Sequence, residues 1–278
     1  MSFDLIGFGT YKVTGGDVIT VLDDALLNGY RVFDTAKVYN NEKEIGNALK
    51  TLLPKHNLQR QDIYLISKLH PTAENSFNET IRRVDESLDL LQTSYIDLYF
   101  IHYPKPNECQ NEDQNNAEYR RLTYMALEKC VEMGKIRSIG VSSYEVQHLE
   151  ELKKYAKIPP SVNQIELHPH FTRNALRDYC SSNGIAIQAF ASLARHSESL
   201  FGNEIVKRFA EKYRIPDTAV ILSWATSQNI HIIPKSTNPV RQAMNRQLVQ
   251  LADPDIEALT SLNIGKNYVG RTTGWLVQ

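Results

Sequence analysis

Eight times along this 278-residue chain, a short apolar, β-branched run is followed by a helical pattern. The runs cover 5–9, 31–34, 63–68, 95–102, 136–142, 161–167, 185–190 and 230–234. The helical patterns cover 17–27, 41–53, 75–91, 117–133, 145–155, 173–182, 203–212 with 218–227, and 239–250. Strands that alternate with helices predict a parallel sheet, because a parallel pair needs a long crossover and a helix supplies it. Eight such units predict a closed (β/α)8 TIM barrel, a fold that commonly takes about 250 residues. The runs "IYLISKL" and "YIDLYFIH" are almost continuously apolar, as strands covered on both faces are. Asn28-Gly29, Met133-Gly134 and Asn183-Gly184 are helix stops. No linker or low-complexity stretch interrupts the pattern, so residues 1–278 are expected to form a single domain. A last helix at 253–262 and the tail "IGKNYVGRTTGWLVQ" follow the eighth unit, and the tail is expected to lie over the barrel mouth.

Composition removes several function classes. A net charge of −1 gives no footprint for nucleic acid or anionic membrane. No apolar run approaches the ~18 residues of a membrane span. The start, Met1-Ser2-Phe3-Asp4, has no basic region followed by an apolar stretch, so no secretory signal is expected. Cys109, Cys130 and Cys180 are odd in number and far apart, with no C-x-x-C pair, which points to a reducing, cytoplasmic setting.

In a (β/α)8 barrel the chemistry sits where the strands end. Strand two ends in Asp34, with Tyr39 just beyond. Strand three ends in Lys68 and strand four in His102. Strand five ends in Ser142-Ser143, strand six carries Gln164 and Glu166, strand seven ends in Phe190, and strand eight in Lys235-Ser236-Thr237. Any one of these has a bland reading: an Asp as a cap, a Tyr or His as core, a Lys as a solvated charge. Four groups on three consecutive strand ends argue for a site. Polar stretch 105–116 follows strand four and reads as a loop at the mouth, functional or merely tolerated.

The four groups also make joint chemical sense. A free phenol has a pKa of about 10 and gives up its proton sluggishly. A nearby ammonium favours the phenolate and is expected to lower the Tyr39 pKa. A buried lysine keeps its charge only if a carboxylate holds it. Asp34, Lys68 and Tyr39 would form that relay, while a neutral His102 orients a substrate carbonyl. Together they suit carbonyl reduction: polarise the C=O, deliver hydride, protonate the alkoxide.

Five segments, "GFGTYKV", "DTAKVYNNEKEIG", "GKIRSIGVSS", "VNQIELHPHF" and "IIPKSTNPVRQAMN", run in that order from Gly7 to about Asn245. In these segments the chain resembles the aldo-keto reductases. The resemblance implies a catalytic tetrad of Asp34, Tyr39, Lys68 and His102, with Tyr39 as proton donor. It implies a nicotinamide cofactor, usually NADPH, bound without a Rossmann domain. It places Ser142, Ser143, Gln164 and Phe190 at the nicotinamide, with Phe190 stacking, and Lys235, Ser236, Thr237, Arg241 and Asn245 at the adenosine 2′-phosphate. The residues agree. "GFGTYKVTGG" lacks the third glycine of a dinucleotide fingerprint. Lys235 and Arg241 flank the expected start of a helix near Pro239, where free N–H groups and positive potential favour an anion. Against the family pattern, Ser143 replaces Asn, Phe190 replaces Tyr, Met244 replaces Glu, and Tyr11 and Tyr103 stand where Trp is common.

Tyr11, Tyr103 and Trp275 are expected to line an aromatic substrate pocket. "ELHPHF" invites a metal reading through Glu166, His168 and His170. However, histidines two apart point to opposite faces of a strand, and Pro169 breaks it, so no metal is expected and the histidines read as structural. The expected function is NADPH-dependent reduction of small aldehydes or ketones by a cytoplasmic monomer. A cofactor-binding but catalytically idle barrel is the alternative.

Overall fold

The computed structural model describes residues 5–270 and 274–278, apart from the Trp275 side chain. Eight strands pair in parallel and in chain order: β1 (Phe8–Gly9), β2 (Val32–Asp34), β3 (Tyr64–Leu69), β4 (Leu98–Ile101), β5 (Ile139–Ser142), β6 (Val162–Glu166), β7 (Ala186–Phe190) and β8 (His231–Ile232). A parallel bridge between Ile6 and Ile232 joins the last strand to the first. There the Ile232 amide donates to Leu5 O and the Gly7 amide to Ile232 O, both at 2.8 Å. This closes the (β/α)8 barrel, as the eightfold alternation predicts.

The outer layer holds α1 (Asp17–Leu27), α2 (Glu42–Lys55), α3 (Ser76–Leu91), α4 (Asn116–Glu132), α5 (Val146–Leu152), α6 (Asn174–Ser182), α7 (Glu198–Phe201), α8 (Glu204–Tyr213), α9 (Asp217–Thr226), α10 (Pro239–Asn245) and α11 (Asp253–Thr260). Two differences from the sequence reading matter for the site. The helix expected over 239–250 stops at Asn245, where the chain turns through Arg246 and Gln247. A 3₁₀ turn (Ala194–His196) and the short α7 occupy the crossover after β7, which carries no long period to betray them.

Strand parity sorts the barrel interior. Residues two apart share a face, and the inner face reads apolar below and polar above. Val32, Ile66, Leu98, Phe100 and Val162 form a separate buried cluster within the barrel. Phe100 lies against Gly140, where an added Cβ would come within 2.4 Å of its ring, so only glycine fits. One pleat further up, on the same faces, stand Asp34, Lys68, Ser142, Gln164 and Gln188, all buried. His102 follows directly after β4, its amide donating to Leu69 O at 2.7 Å.

The tail is stitched to the mouth. Glu166 at the end of β6 accepts the Tyr268 amide at 2.5 Å and the Val269 amide at 3.3 Å, together with His168 Nε2 at 3.1 Å. His170 Nδ1 meets the Tyr268 hydroxyl at 2.9 Å. These groups tie the tail down, a structural role. Further on, Arg120 Nη1 donates to Pro104 O at 3.0 Å and Gln278 O at 2.9 Å, and the Gln278 amide donates to Asn111 O at 3.0 Å in the loop after β4. Among the described residues, no helix is long and apolar enough to cross a membrane.

Candidate active site

The loops after β1 and β2 are locked together before any chemistry is considered. Asn41 Nδ2 donates to Thr10 O at 3.0 Å and Val13 O at 2.9 Å, while Thr35 Oγ1 donates to Asn41 Oδ1 at 2.6 Å. Thr10 Oγ1 donates to Asp34 O at 2.9 Å. Between these anchors the chain makes a 3₁₀ turn (Lys37–Tyr39), closed by Asn40 in the left-handed region at φ 52°. The turn sets Tyr39 at the mouth.

Lys68 is fully buried. Its Nζ donates to Asp34 Oδ1 at 2.5 Å and to Thr35 O at 2.9 Å. Burial pushes the ammonium pKa down, and the Asp34 charge and hydrogen bond oppose that shift. The other Asp34 oxygen accepts from Gln164 Nε2 at 2.8 Å, and the same amide nitrogen donates to Gln188 Oε1 at 2.6 Å. The expected carboxamide-site residue Gln164 is thus bonded directly to a member of the expected tetrad, with only its Oε1 left over.

Lys68 Nζ lies 5.2 Å from the Tyr39 ring centroid. The Tyr39 hydroxyl makes no hydrogen bond to a described residue and is not among the buried unpartnered atoms, so it opens to the mouth. The expectation that Lys68 lowers its pKa is overturned. Burial raises the phenol well above its ordinary value, and the Asp34 carboxylate and Tyr11 add to the rise. Removing water from around a phenolate is the largest effect, and the Asp34 carboxylate nearby adds to it. Tyr39 therefore stays protonated at neutral pH.

His102 meets Tyr39 edge-on at 5.8 Å between ring centroids. Burial, then His70 and Lys68, hold its pKa well below the usual histidine value, so the ring is neutral as expected. Its Nδ1 is buried with no hydrogen-bond partner, while Nε2 is not so enclosed. One proton on Nε2 leaves a bare Nδ1 against the wall and a donor facing the mouth. His70 stacks on His102 at 4.6 Å with 29° between planes.

The other expected positions fall around this centre. Ser142 is buried at the end of β5, and Ser143 follows at φ 59°, its amide donating to Gln164 O at 2.9 Å. Phe190 ends β7 opposite Glu166. Tyr11 is half exposed and lies 5.1 Å from the Tyr39 ring. Tyr103 is half-buried, and burial and the Glu145 charge raise its phenol pKa. The side chain of Trp275 lies outside the described residues.

Lys235, Thr237 and Arg241 are exposed after β8, Ser236 is half-buried and Asn245 is buried. The short α10 weakens the helix-terminus argument. Pro239 has no N–H, and the Asn238 side chain already accepts the Arg241 amide at 3.0 Å. An anion here must be held by side chains. Lys12, which the sequence reading passed over, lies close enough to lower the Lys235 pKa, after the larger effect of burial. Lys12, Lys235 and Arg241 make no ion pair among the described residues. Unpaired cations of this kind fit the phosphates of a dinucleotide. Sequence reading also missed His70 and Gln188. Each is a polar residue two places from a strand-end residue that it did select, and the parity rule would have found both.

Comparison with known proteins agrees with this geometry. The profile of the Aldo/keto reductase family matches residues 5–264. The chain is 38% identical to "Aldose reductase C" of Dictyostelium discoideum over 275 residues, covering 93% of this chain and 85% of that protein. It is 36% identical to "Glyoxal reductase" of Bacillus subtilis (strain 168) over 260 residues, covering 92% and 88%. The crystal structure of an aldo-keto reductase enzyme from a Medee basin deep-sea metagenome library superposes with a TM-score of 0.87 at 34% identity, covering 96% of this chain and 94% of that one. With its fold, its ordered strand-end groups and these matches along almost its whole length, the chain belongs to the aldo-keto reductase family.

Proposed function

We propose that this protein reduces the carbonyl of small aldehydes or ketones with NADPH, and that Tyr39 is the proton donor. The observation that carries the reading is the buried Lys68–Asp34 pair set beneath the face of Tyr39, with the neutral His102 ring edge-on beside it. A nicotinamide dinucleotide, when bound, supplies the hydride. The chain's own residues do the rest. His102 Nε2–H and the Tyr39 hydroxyl are two open donors on one carbonyl oxygen, and they polarise it. As negative charge grows on that oxygen it becomes more basic than a phenolate, and the Tyr39 proton moves to it. Lys68 then balances the phenolate left behind, held in place by Asp34. A phenol kept protonated by burial is a suitable acid for this step, because it holds its proton until the alkoxide forms.

Ser142, Ser143 and Gln164 would bind the carboxamide end of the cofactor, with Phe190 stacking. Gln164 Oε1, its only free polar atom, would accept from the carboxamide N–H. Lys235, Ser236, Thr237, Arg241 and Asn245 would hold the 2′-phosphate end. Tyr11, Tyr103 and Trp275 would line the substrate side. The reading has residues 1–278 acting as one domain, a monomer in the reducing cytoplasm, which suits three free cysteines. The names of the relatives, aldose reductase and glyoxal reductase, point to small oxygen-rich carbonyls.

The test is loss of NADPH absorbance with a panel of aldehydes, run beside Tyr39→Phe. We expect the variant to bind NADPH normally and to lose roughly 10²–10⁴-fold in kcat, as for a lost general acid. Near-normal kcat in Tyr39→Phe would remove Tyr39 from the role, and no turnover of any carbonyl by the unmodified protein would remove the reductase reading.

A further inference from the structure

His70 is a polar ring where packing alone would call for an apolar one. It follows β3 by one residue and is half-buried at the mouth. Its ring lies 4.6 Å from that of His102, nearly parallel at 29°. Neither of its nitrogens makes a hydrogen bond to a described residue, and neither is among the buried unpartnered atoms. Both therefore keep contact with solvent. Burial, then the Lys105 and Arg83 charges, lower its pKa to about 4 against the opposing pull of Glu108, so the ring is neutral at pH 7. A neutral imidazole offers one donor and one acceptor. The neighbouring cations are occupied elsewhere: Lys105 Nζ donates to Pro106 O at 3.0 Å and Cys109 O at 2.6 Å, and Arg83 pairs with Glu79 at 2.8 Å.

We propose that His70 is a specificity-determining residue of the carbonyl pocket, where it hydrogen-bonds an oxygen on the carbon next to the reacting carbonyl. The inference rests on the reductase reading above. With the reacting oxygen held by His102 Nε2 and the Tyr39 hydroxyl, a substituent on the adjacent carbon would come within reach of the ring stacked 4.6 Å from His102. An α-hydroxyl or second carbonyl there can pair with either nitrogen of His70. A plain alkyl aldehyde leaves both nitrogens with no partner when it displaces water from them. Sites built to bind a hydroxyl discriminate against analogues that lack it for this reason. The substrate class that follows is the α-oxygenated carbonyl: hydroxyaldehydes and dicarbonyls rather than simple alkanals.

The experiment compares kcat/KM for glyceraldehyde and methylglyoxal with that for propanal, in the full-length protein with NADPH. The variants are His70→Phe, which keeps the stacked ring and removes the nitrogens, and His70→Leu, which serves if phenylalanine does not fit. We expect either variant to lose roughly three- to tenfold in kcat/KM for the α-oxygenated substrates, the size of one neutral hydrogen bond. Propanal should change by less than twofold. An unchanged ratio between the two substrate types, or an equal loss on both, overturns the inference and leaves the reductase reading standing. Failure of the unmodified protein to reduce any of the three overturns the reductase reading, and the inference with it.

Discussion

At the scale of single residues, the cofactor preference gives the sharpest expectation. NADPH differs from NADH by one phosphate, and a desolvated phosphate without cationic partners is costly. Arg241 is exposed, has no ion pair, and its backbone amide is already capped by Asn238, so its guanidinium is the group it can offer. We expect Arg241→Ala to raise the KM for NADPH about tenfold, the low end for a charged hydrogen bond because the site is open to solvent. KM for NADH and kcat should hold, since the contact is remote from the reacting atoms and equal in ground and transition states. Weakening of both cofactors alike would count against the assignment. The positions of Asp34, Lys68 and His102 were legible because a strand end is a one-dimensional mark, visible as a polar residue closing an apolar run. The direction of the Tyr39 pKa was not, because it depends on how much water the fold removes around the phenol, which no spacing records. The Gln164–Asp34 bond escaped for a related reason: it joins β6 to β2 across the barrel, 130 residues apart.

At the scale of elements, the strand and helix pattern was readable wherever a period persisted over several turns. α1 matches its expected span of 17–27. It failed where elements are too short to carry a period, as at α7, or where apolar residues after a true helix kept the period alive, as Leu248 and Val249 do beyond Asn245. One glycine shows what the pattern leaves out. Gly46 lies inside α2, where alanine would be the better helix former by about 1 kcal/mol. Its place is set by α3: an added Cβ would stand 2.3 Å from Leu90 O and 2.8 Å from both Leu91 Cα and C. All three are backbone atoms and cannot swing aside. We therefore expect Gly46→Ala to destabilise the protein by roughly 1–3 kcal/mol, the usual cost of overpacking, despite the propensity gain. Urea unfolding measures it, and an unchanged or higher midpoint would show that α2 and α3 can separate freely. The consequence should reach the site, because α2 begins directly after Asn41, which holds the loops around Tyr39.

At the scale of the whole molecule, the tail and the barrel meet on a group that titrates. His148 is buried in α5. The Glu145 amide donates to its Nδ1 at 3.0 Å, and its Nε2 lies 3.0 Å from Val277 O in the tail. Only one neutral tautomer satisfies both contacts, with the proton on Nε2. A second proton would have to sit on Nδ1, against an N–H that already points there. Burial, and then the Arg120 charge, lower the His148 pKa to about 4, while the Val277 carbonyl pulls it back up. The unfolded chain has an ordinary histidine near 6.5. Between these values the unfolded state binds more protons than the folded state, so stability rises with pH across that window. The stabilisation is complete above pH 6.5 and is lost as pH falls toward 4. We expect this one group to remove about 2 kcal/mol between pH 7 and pH 5. His148→Gln keeps an acceptor and a donor at similar positions without titrating. It should remove this one contribution of about 2 kcal/mol from the pH dependence of the urea midpoint, leaving the slopes of His70, which is also held near 4, and of His102. Hydrogen exchange corrected for intrinsic rates should show the Val277 and Gln278 amides opening at pH 5 in the unmodified protein before those of β4 and β5. In His148→Gln the same amides should keep their pH 7 protection. If both proteins lose stability in parallel as pH falls, His148 is not the acid-sensitive link between tail and barrel.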